Sequence, residues 1–521
     1  RPMFYNLCDE PGLGDQAAPF DFCYCPHCME RFRDRLEKNY GSLEALNGQW
    51  GTVFKYWREV FPLTTDDILH RQQKKADFNF SSWADHREFM DSVMAGAYAK
   101  MREYGREADE HGVFGNTGGQ GPNAYGGWDF AKIANAVDLH VPYNISQNDE
   151  LLRSFEPRIL KMAPYFGDDK RLLRRMWYQL FHGDCGQIHW DNDEPTGRFL
   201  TQPGRTWSAR AKMMAPALRE LTGGIGKQIL GMARAGETIA VHHSQACVRA
   251  HWMMGTLPQG EAWVDRSSDD CEAVEFDLSI YLRDSIVKLI GDCGLQYRFA
   301  DRSLIESGKL SGEGFKVLIL SHALALSEAE CENIRRFAEN GGLVVADAIP
   351  AVMDGHCKML PAGRLDGLFG VSREKFEYRK SGAAIKIVGQ GGPLNLERQA
   401  LAVKSCESTL KARSDAVAYG KAGAADALIF RKVGRGATLY LNAEFHHYYQ
   451  YRYRIGSKES RDAHSLFSAG VRLGGVEQAI HLWAEGKKRH LPGIELTRFS
   501  DGPVELVCAV VNELRRTSGV G

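Results

Sequence analysis

The chain carries no surplus of charge of either sign. Sixty-five Lys and Arg stand against 66 Asp and Glu, leaving a net charge of −1. A nucleic-acid footprint needs a basic excess, so no nucleic-acid partner is expected. No apolar run approaches the ~18 residues of a membrane span, so no membrane partner is expected either. Proline is sparse, at 18 residues, and the 54 glycines are scattered, without the period of a fibre or the density of a disordered segment. An initiator Met is missing: Arg1-Pro2-Met3 leads straight into an apolar stretch with no signal-type segment before it. The natural start is therefore expected to lie upstream. Twelve cysteines in 521 residues are too few and too uneven for a disulfide-stapled fold. Reduced thiols, and hence a cytoplasmic location, are expected.

The composition, 44% hydrophobic and 25% charged, is that of a globular protein, and the length suits about three domains. Over residues 1–235, short strands alternate with helical patterns. Met3 to Cys8 reads as a strand, Pro26 to Tyr40 as a helix with Phe32 and Leu36 on one face, Trp83 to Glu110 as a long helix. Further strands are expected at Val113–Gly115, Val137–Val141 and Gly186–Trp190. Repeated strand–loop–helix units imply a parallel sheet, here a partial β/α (TIM) barrel whose first strands precede the chain. Functional groups follow the strand ends, where barrel active sites sit. Residues 236–372 read as a doubly wound, flavodoxin-like α/β domain. Its helix Ser327–Asn340 has a Ser N-cap with Glu330 three residues on. From 373 to 521 the texture becomes β-rich with glycine turns, and a β-sandwich-like domain is expected.

Three constellations could carry chemistry. Cys8-Asp9-Glu10-Pro11-Gly12 closes a strand with a carboxylate suited to general acid/base work; its plainer reading is an acidic turn. Cys23, Cys25 and Cys28 form a C-x-C-x-x-C cluster able to wrap one structural Zn²⁺, with His27, Cys8 or an upstream Cys as fourth ligand. The alternative is three free thiols. Trp190-Asp191-Asn192-Asp193-Glu194 places an indole beside carboxylates at a strand end. The ring could stack on a pyranose and a carboxylate could attack the anomeric carbon, Glu194 and Asp191 competing for that role. The glycine run Gly115–Gly121 lacks the Lys-Ser/Thr of a P-loop and the G-x-G-x-x-G order, so nucleotide binding is not expected. No G-x-C-x-G occurs, which excludes an amidotransferase reading of the second domain.

Three stretches carry a family resemblance. They are CYCPHCMERFRDRLEKNYGSLEALNGQWGTVF from Cys23 to Phe54, AVHHSQACVRAHW from Ala240 to Trp252, and FKVLIL with ALSEAECENIRRFAENGGLVVAD and LDGLFGV between Phe315 and Val371. Together they resemble glycoside hydrolase family 42, β-galactosidases with a barrel, a trimerisation domain and a C-terminal β domain. The resemblance implies a retaining glycosidase acting on β-galactosides or related β-glycosides, with Glu10 as acid/base. It implies Cys23, Cys25 and Cys28 as three of four zinc thiolates, Asn116 as a strand-end barrel Asn, Trp190 as the Trp preceding the nucleophile loop, and a homotrimer. Asp9 stands where the family has an Asn that touches the sugar 2-OH. Glu194, with Asp191 as runner-up, is placed as nucleophile by position. Asp9, Asn116, Tyr143 and Trp190 are the expected substrate contacts, and no organic cofactor is expected. The contrasting expectation is a non-catalytic carbohydrate-binding or assembly protein on the same scaffold.

Overall fold

A computed structural model describes residues 2–14, 16, 18–75, 77–143, 145, 147–165, 170–189, 201–202, 206–265, 278–377, 385–387, 394, 400–401, 406–443, 448, 458–482 and 493–511. The first unit is built on five parallel strands, β1 (Tyr5–Asp9), β2 (Phe114–Gly119), β3 (Leu139–Pro142), β4 (Leu160–Tyr165) and β5 (Gly186–His189), hydrogen-bonded in that order. Each strand lies beside its predecessor, with helices in the connections. Sequential parallel pairing of this kind is the progression of a β/α barrel.

Local chemistry sets the helices. Pro26 occupies the first turn of the helix Pro26–Tyr40, Cys25 caps it, and Gly41 ends it in the left-handed region at φ 70°. Met29, Phe32 and Leu36, three and four apart, are its buried face. They pack with Leu46 and Trp50 of the next helix and with Phe89 and Met90 of the long helix Ser81–Ala108. The indole of Trp50 donates to Asp85 at 2.8 Å.

The second sheet has nine strands. Its first five run parallel in the order Tyr297–Asp301, Ile239–His243, Val317–Leu320, Leu343–Ala346, Gly436–Leu441. In chain order this is 2-1-3-4-5, the flavodoxin arrangement. Alternate residues of its strands feed two cores: Val241, Ile319 and Val345 face one, Ala240, Leu318 and Val344 the other. Burial on both faces explains why these strands read as continuous apolar runs. The helix Glu328–Glu339 carries the expected capping box between Ser327 and Glu330.

Among the described residues the β-rich region forms no separate sandwich. Gly436–Leu441 supplies the fifth strand of the doubly wound sheet, and Ala425–Val433, Val417–Ala422, Ile385–Ile387 and Ala400–Leu401 extend it antiparallel. The expected division at 372–373 thus falls within one continuous sheet. The strand Tyr297–Asp301 pairs with Ile239–His243 at the sheet edge. The hairpin Ile494–Asp501 and Val504–Val511 pairs back onto Ala233–Arg234, at the exit from the first unit.

Polar links tie the first two units together. Gln49 Nε2 donates to Asp354 at 2.7 Å. His356 Nδ1 lies 2.6 Å from Asp85, which also accepts from the Tyr40 hydroxyl at 2.5 Å. Burial opposes a charge on His356, but the Asp85 carboxylate overrides it and raises the imidazole to about 9. Among the described residues no helix is long and apolar enough to cross a membrane.

Candidate active site at the barrel strand ends

Glu10 follows directly on β1, its amide donating to Thr117 O at 3.0 Å. Its backbone is held at φ 47°, a conformation that costs a non-glycine residue energy and persists only where the surroundings impose it. Two side chains fix the carboxylate. The Tyr143 hydroxyl, just past β3, donates to Oε1, and Gln16 Nε2 donates to Oε2 at 3.1 Å. Burial, and then the neighbouring Glu10 charge, push the Tyr143 phenol well above its ordinary value, so it stays a donor. Gly118, at φ 69°, makes the arrangement possible: a Cβ there would come 2.5 Å from Glu10 Cγ. The glycine run that is no phosphate loop thus gives the carboxylate its room.

Asp9 is exposed and accepts from the Thr117 hydroxyl at 2.5 Å. Asn116 is placed differently from the expectation of a substrate contact. It is fully buried, and its Oδ1 accepts from His140 Nδ1 at 2.5 Å. Burial drives His140 down to about 3, so the ring is neutral. Tyr143, expected to face substrate, is engaged with Glu10. Trp190, Asp191 and Glu194 lie outside the described residues. Gln16 and Gly118 were not expected, because neither belongs to a motif; the only available signal was the density of glycine after β2. Of the described tryptophans in the first unit, Trp50, Trp83 and Trp128 are wholly buried.

The cysteine cluster converges as its spacing suggests. The sulfurs of Cys23, Cys25 and Cys28 lie within 4.8 Å of one another, with no fourth donor joining them among the described residues. Backbone amides point at two of them: Cys25 N donates to Cys23 Sγ and Cys28 N to Cys25 Sγ, both at 3.5 Å.

Tyr143→Phe is expected to lower kcat about 10- to 100-fold. A hydrogen bond to a charged group is worth about 1.5–3 kcal/mol, and losing it frees Glu10 to leave its reactive position. Steady-state kinetics with a near-UV circular dichroism control reads this directly; an unchanged kcat contradicts it.

The described residues thus combine a parallel sheet of barrel progression, a strand-end glutamate held by two side chains, and a flavodoxin-like unit. The family model described as beta-galactosidase, glycoside hydrolase family 42, matches residues 15–175, and the model of the beta-galactosidase trimerisation domain matches 304–452. Together they cover well over half of the chain, which belongs to glycoside hydrolase family 42. The second match runs across position 372, in keeping with the continuous sheet.

Among curated proteins, a β-galactosidase of Thermus thermophilus is 62% identical over 32 residues, 6% of this chain and 5% of that protein. Beta-galactosidase BgaA of Planococcus sp. (strain 'SOS Orange') is 33% identical over 84 residues, 15% of this chain and 12% of that one. The matches therefore span only a small part of these relatives. Among solved structures, the β-galactosidase of Bacillus circulans sp. alkalophilus superposes with a TM-score of 0.68 at 16% identity, covering 95% of this chain and 72% of its own. The cold-adapted β-galactosidase of Rahnella sp. R3 gives 0.69 at 15%, covering 96% and 73%. At these identities the superpositions speak for the fold.

Proposed function

We propose that the chain is a retaining glycoside hydrolase acting on β-galactosides or related β-glycosides. The observation that carries this reading is the Glu10 carboxylate, held on a barrel strand end by Tyr143 and Gln16. In this reading Glu10 protonates the departing glycosidic oxygen and then takes a proton from the water that resolves the glycosyl-enzyme. The nucleophile is Glu194 or Asp191, which for retention must come about 5–5.5 Å from Glu10. Asp9, the residue before Glu10, is a candidate contact for a sugar hydroxyl, with the Trp190 indole as stacking surface.

One observation favours the alternative of a non-catalytic carbohydrate-binding or assembly protein. Asp9 stands where the family resemblance puts an Asn that touches the sugar, and it is engaged with the Thr117 hydroxyl. Turnover assays on a panel of aryl-glycosides separate the two: release of aglycone that depends on Glu10 supports the hydrolase, while binding without turnover supports the alternative.

The reading includes a structural zinc held by Cys23, Cys25 and Cys28. Tetrahedral thiolates about 2.3 Å from zinc stand roughly 3.8 Å apart, so the three sulfurs need only a small closure. The Cys28 amide aimed at Cys25 Sγ holds that thiol below its ordinary value, while burial and the neighbouring sulfurs raise Cys28. The metal would lock the loop between β1 and the helix Pro26–Tyr40. Elemental analysis is expected to find about one zinc per chain, and chelation to lower the melting temperature. Metal-free protein with three titratable thiols in this loop contradicts the site. Free thiols at all eleven described cysteines fit a reducing compartment, which supports the cytoplasmic reading.

The same reading makes the protein a homotrimer, supported by the match to the trimerisation domain. Multi-angle light scattering is expected to return three times the 58.3 kDa chain mass; a monomer at assay concentrations contradicts it.

A further inference from the structure

A cavity of about 570 Å³ lies apart from Glu10. It opens where the C-terminal ends of the strands Ile239–His243 and Tyr297–Asp301 face the helices Ser81–Ala108 and Phe130–Ala136 of the first unit. Doubly wound sheets bind ligands along this edge, and the volume lies within the range of small-molecule sites.

Two buried polar groups line it. His243 is 8% exposed, its ring lies among Phe155 and Phe299, and no described residue bonds to it. Burial, then the Arg283 and His242 charges, keep it neutral, so it offers one donor and one acceptor. Arg249 is likewise buried. Its Nη2 pairs with Asp91, while its Nε has no partner. A buried imidazole left without partners costs stability, and a ligand that can both donate and accept would satisfy His243.

The walls indicate which chemistry. Four cationic and five carboxylate side chains line the cavity, and several are already paired, as Lys132 with Asp129 and Arg302 with Glu306. The net charge is slightly negative, so a phosphate or carboxylate gains nothing by entering. A neutral ligand with adjacent hydroxyls matches both members of each ion pair, and can give to and accept from the His243 imidazole. Phe155 and Leu304 supply the apolar surface that the C–H face of a sugar ring needs.

We infer that this cavity between the barrel and the flavodoxin-like unit is a second binding site for a neutral saccharide, of mono- or disaccharide size, separate from Glu10. The wall chemistry alone selects the ligand class, so the inference stands apart from the proposed hydrolysis. Because the site bridges two units, occupancy would clamp one against the other.

Hydrogen–deuterium exchange of the whole chain, with galactose, glucose and inorganic phosphate as probes, tests it. Galactose or glucose is expected to protect the segments 243–249 and 301–307, independently of any protection around Glu10 and Tyr143. His243→Phe keeps a planar ring between Phe155 and Phe299 and should weaken that protection about tenfold, the loss of one or two hydrogen bonds. Ser303→Trp, at the exposed rim, should block it by filling the cavity and covers the case in which the buried variant misfolds. Protection by phosphate but not by sugars overturns the inference. So does sugar protection confined to the Glu10 region, or protection of 243–249 that survives both variants.

Discussion

Glu10→Gln is expected to reduce kcat on glycosides with poor leaving groups by about 10²–10⁴-fold, the contribution of a positioned general acid/base. Gln keeps the shape and can still meet Tyr143 and Gln16, so the loss reports the missing proton rather than a disturbed strand end. The effect should depend on the aglycone. A nitrophenolate departs with little protonation, so its first step should suffer far less than that of lactose or an alkyl galactoside. With the activated substrate, hydrolysis of the glycosyl-enzyme becomes limiting, because the base that activates water is gone, and an initial burst should appear. Parallel kinetics on the two substrate types, with mass spectrometry for the trapped adduct, checks this. Equal losses on both, with no adduct, would remove Glu10 from the proton-transfer role and favour the binding-protein alternative.

That prediction was within reach of the sequence because Glu10 ends a short strand, and a strand end fixes where a side chain sits. The helix Pro26–Tyr40 was legible for a similar reason. Proline at its start, Phe32 and Leu36 one turn apart, and Gly41 at its end are local signals that tertiary packing leaves intact. The capping box at Ser327 and the apolar strand Leu343–Ala346 belong to the same class.

Strand β4 was not legible. Its sequence LKMAPY contains a proline and a lysine, which argue against a buried strand. The fold accommodates both: Lys161 is buried, donating to Asp149 O at 2.9 Å and His182 O at 2.6 Å. Nor does periodicity say which sheet a strand joins. Gly436–Leu441 alternates like any strand, and only the exposed edge of Leu343–Ala346 decides that it becomes the fifth member of a doubly wound sheet. The site divides in the same way. The carboxylate could be read from the chain, but the support from Gln16 and the space left by Gly118 exist only after the loops have folded.

Glu150→Ala is expected to destabilise the protein by about 3–5 kcal/mol, the cost of breaking a buried ion pair from one side. Glu150 lies on the helix Asn148–Phe155 and is 1% exposed. Its carboxylate accepts from Arg153 and Arg234, each at 2.7 Å, and from His182. Arg153 and Arg234 reach on to Glu237 at 2.7 and 3.1 Å, and His182 Nε2 lies 2.7 Å from Glu495 of the C-terminal hairpin. With His182 protonated, three cations meet three carboxylates, and the network joins the barrel, the connection into the flavodoxin-like unit and the hairpin. Alanine leaves three cations facing two carboxylates in a dry setting.

The pH profile distinguishes this from simple loss of packing. Burial opposes the charge on Glu150, yet Arg153, Arg234 and His182 hold its carboxyl well below the ordinary value. Its contribution is therefore complete above the unfolded carboxylate range near 4.5 and is lost as pH falls toward the folded value. Burial likewise opposes the charge on His182, but Glu495 and Glu150 raise it. That contribution is complete below the unfolded imidazole value near 6.5 and is lost as pH rises through the raised one. Removing Glu150 should shrink the acid limb and, by taking one carboxylate from His182, move the alkaline limb to lower pH. Glu150→Gln should restore shape and part of the hydrogen bonding but neither limb. Thermal unfolding across pH is the measurement, with a fall in Tm on the order of 10 °C expected near neutrality. A uniform fall at every pH would mean that Glu150 only fills space, and the charge network would then contribute little to holding the three segments together.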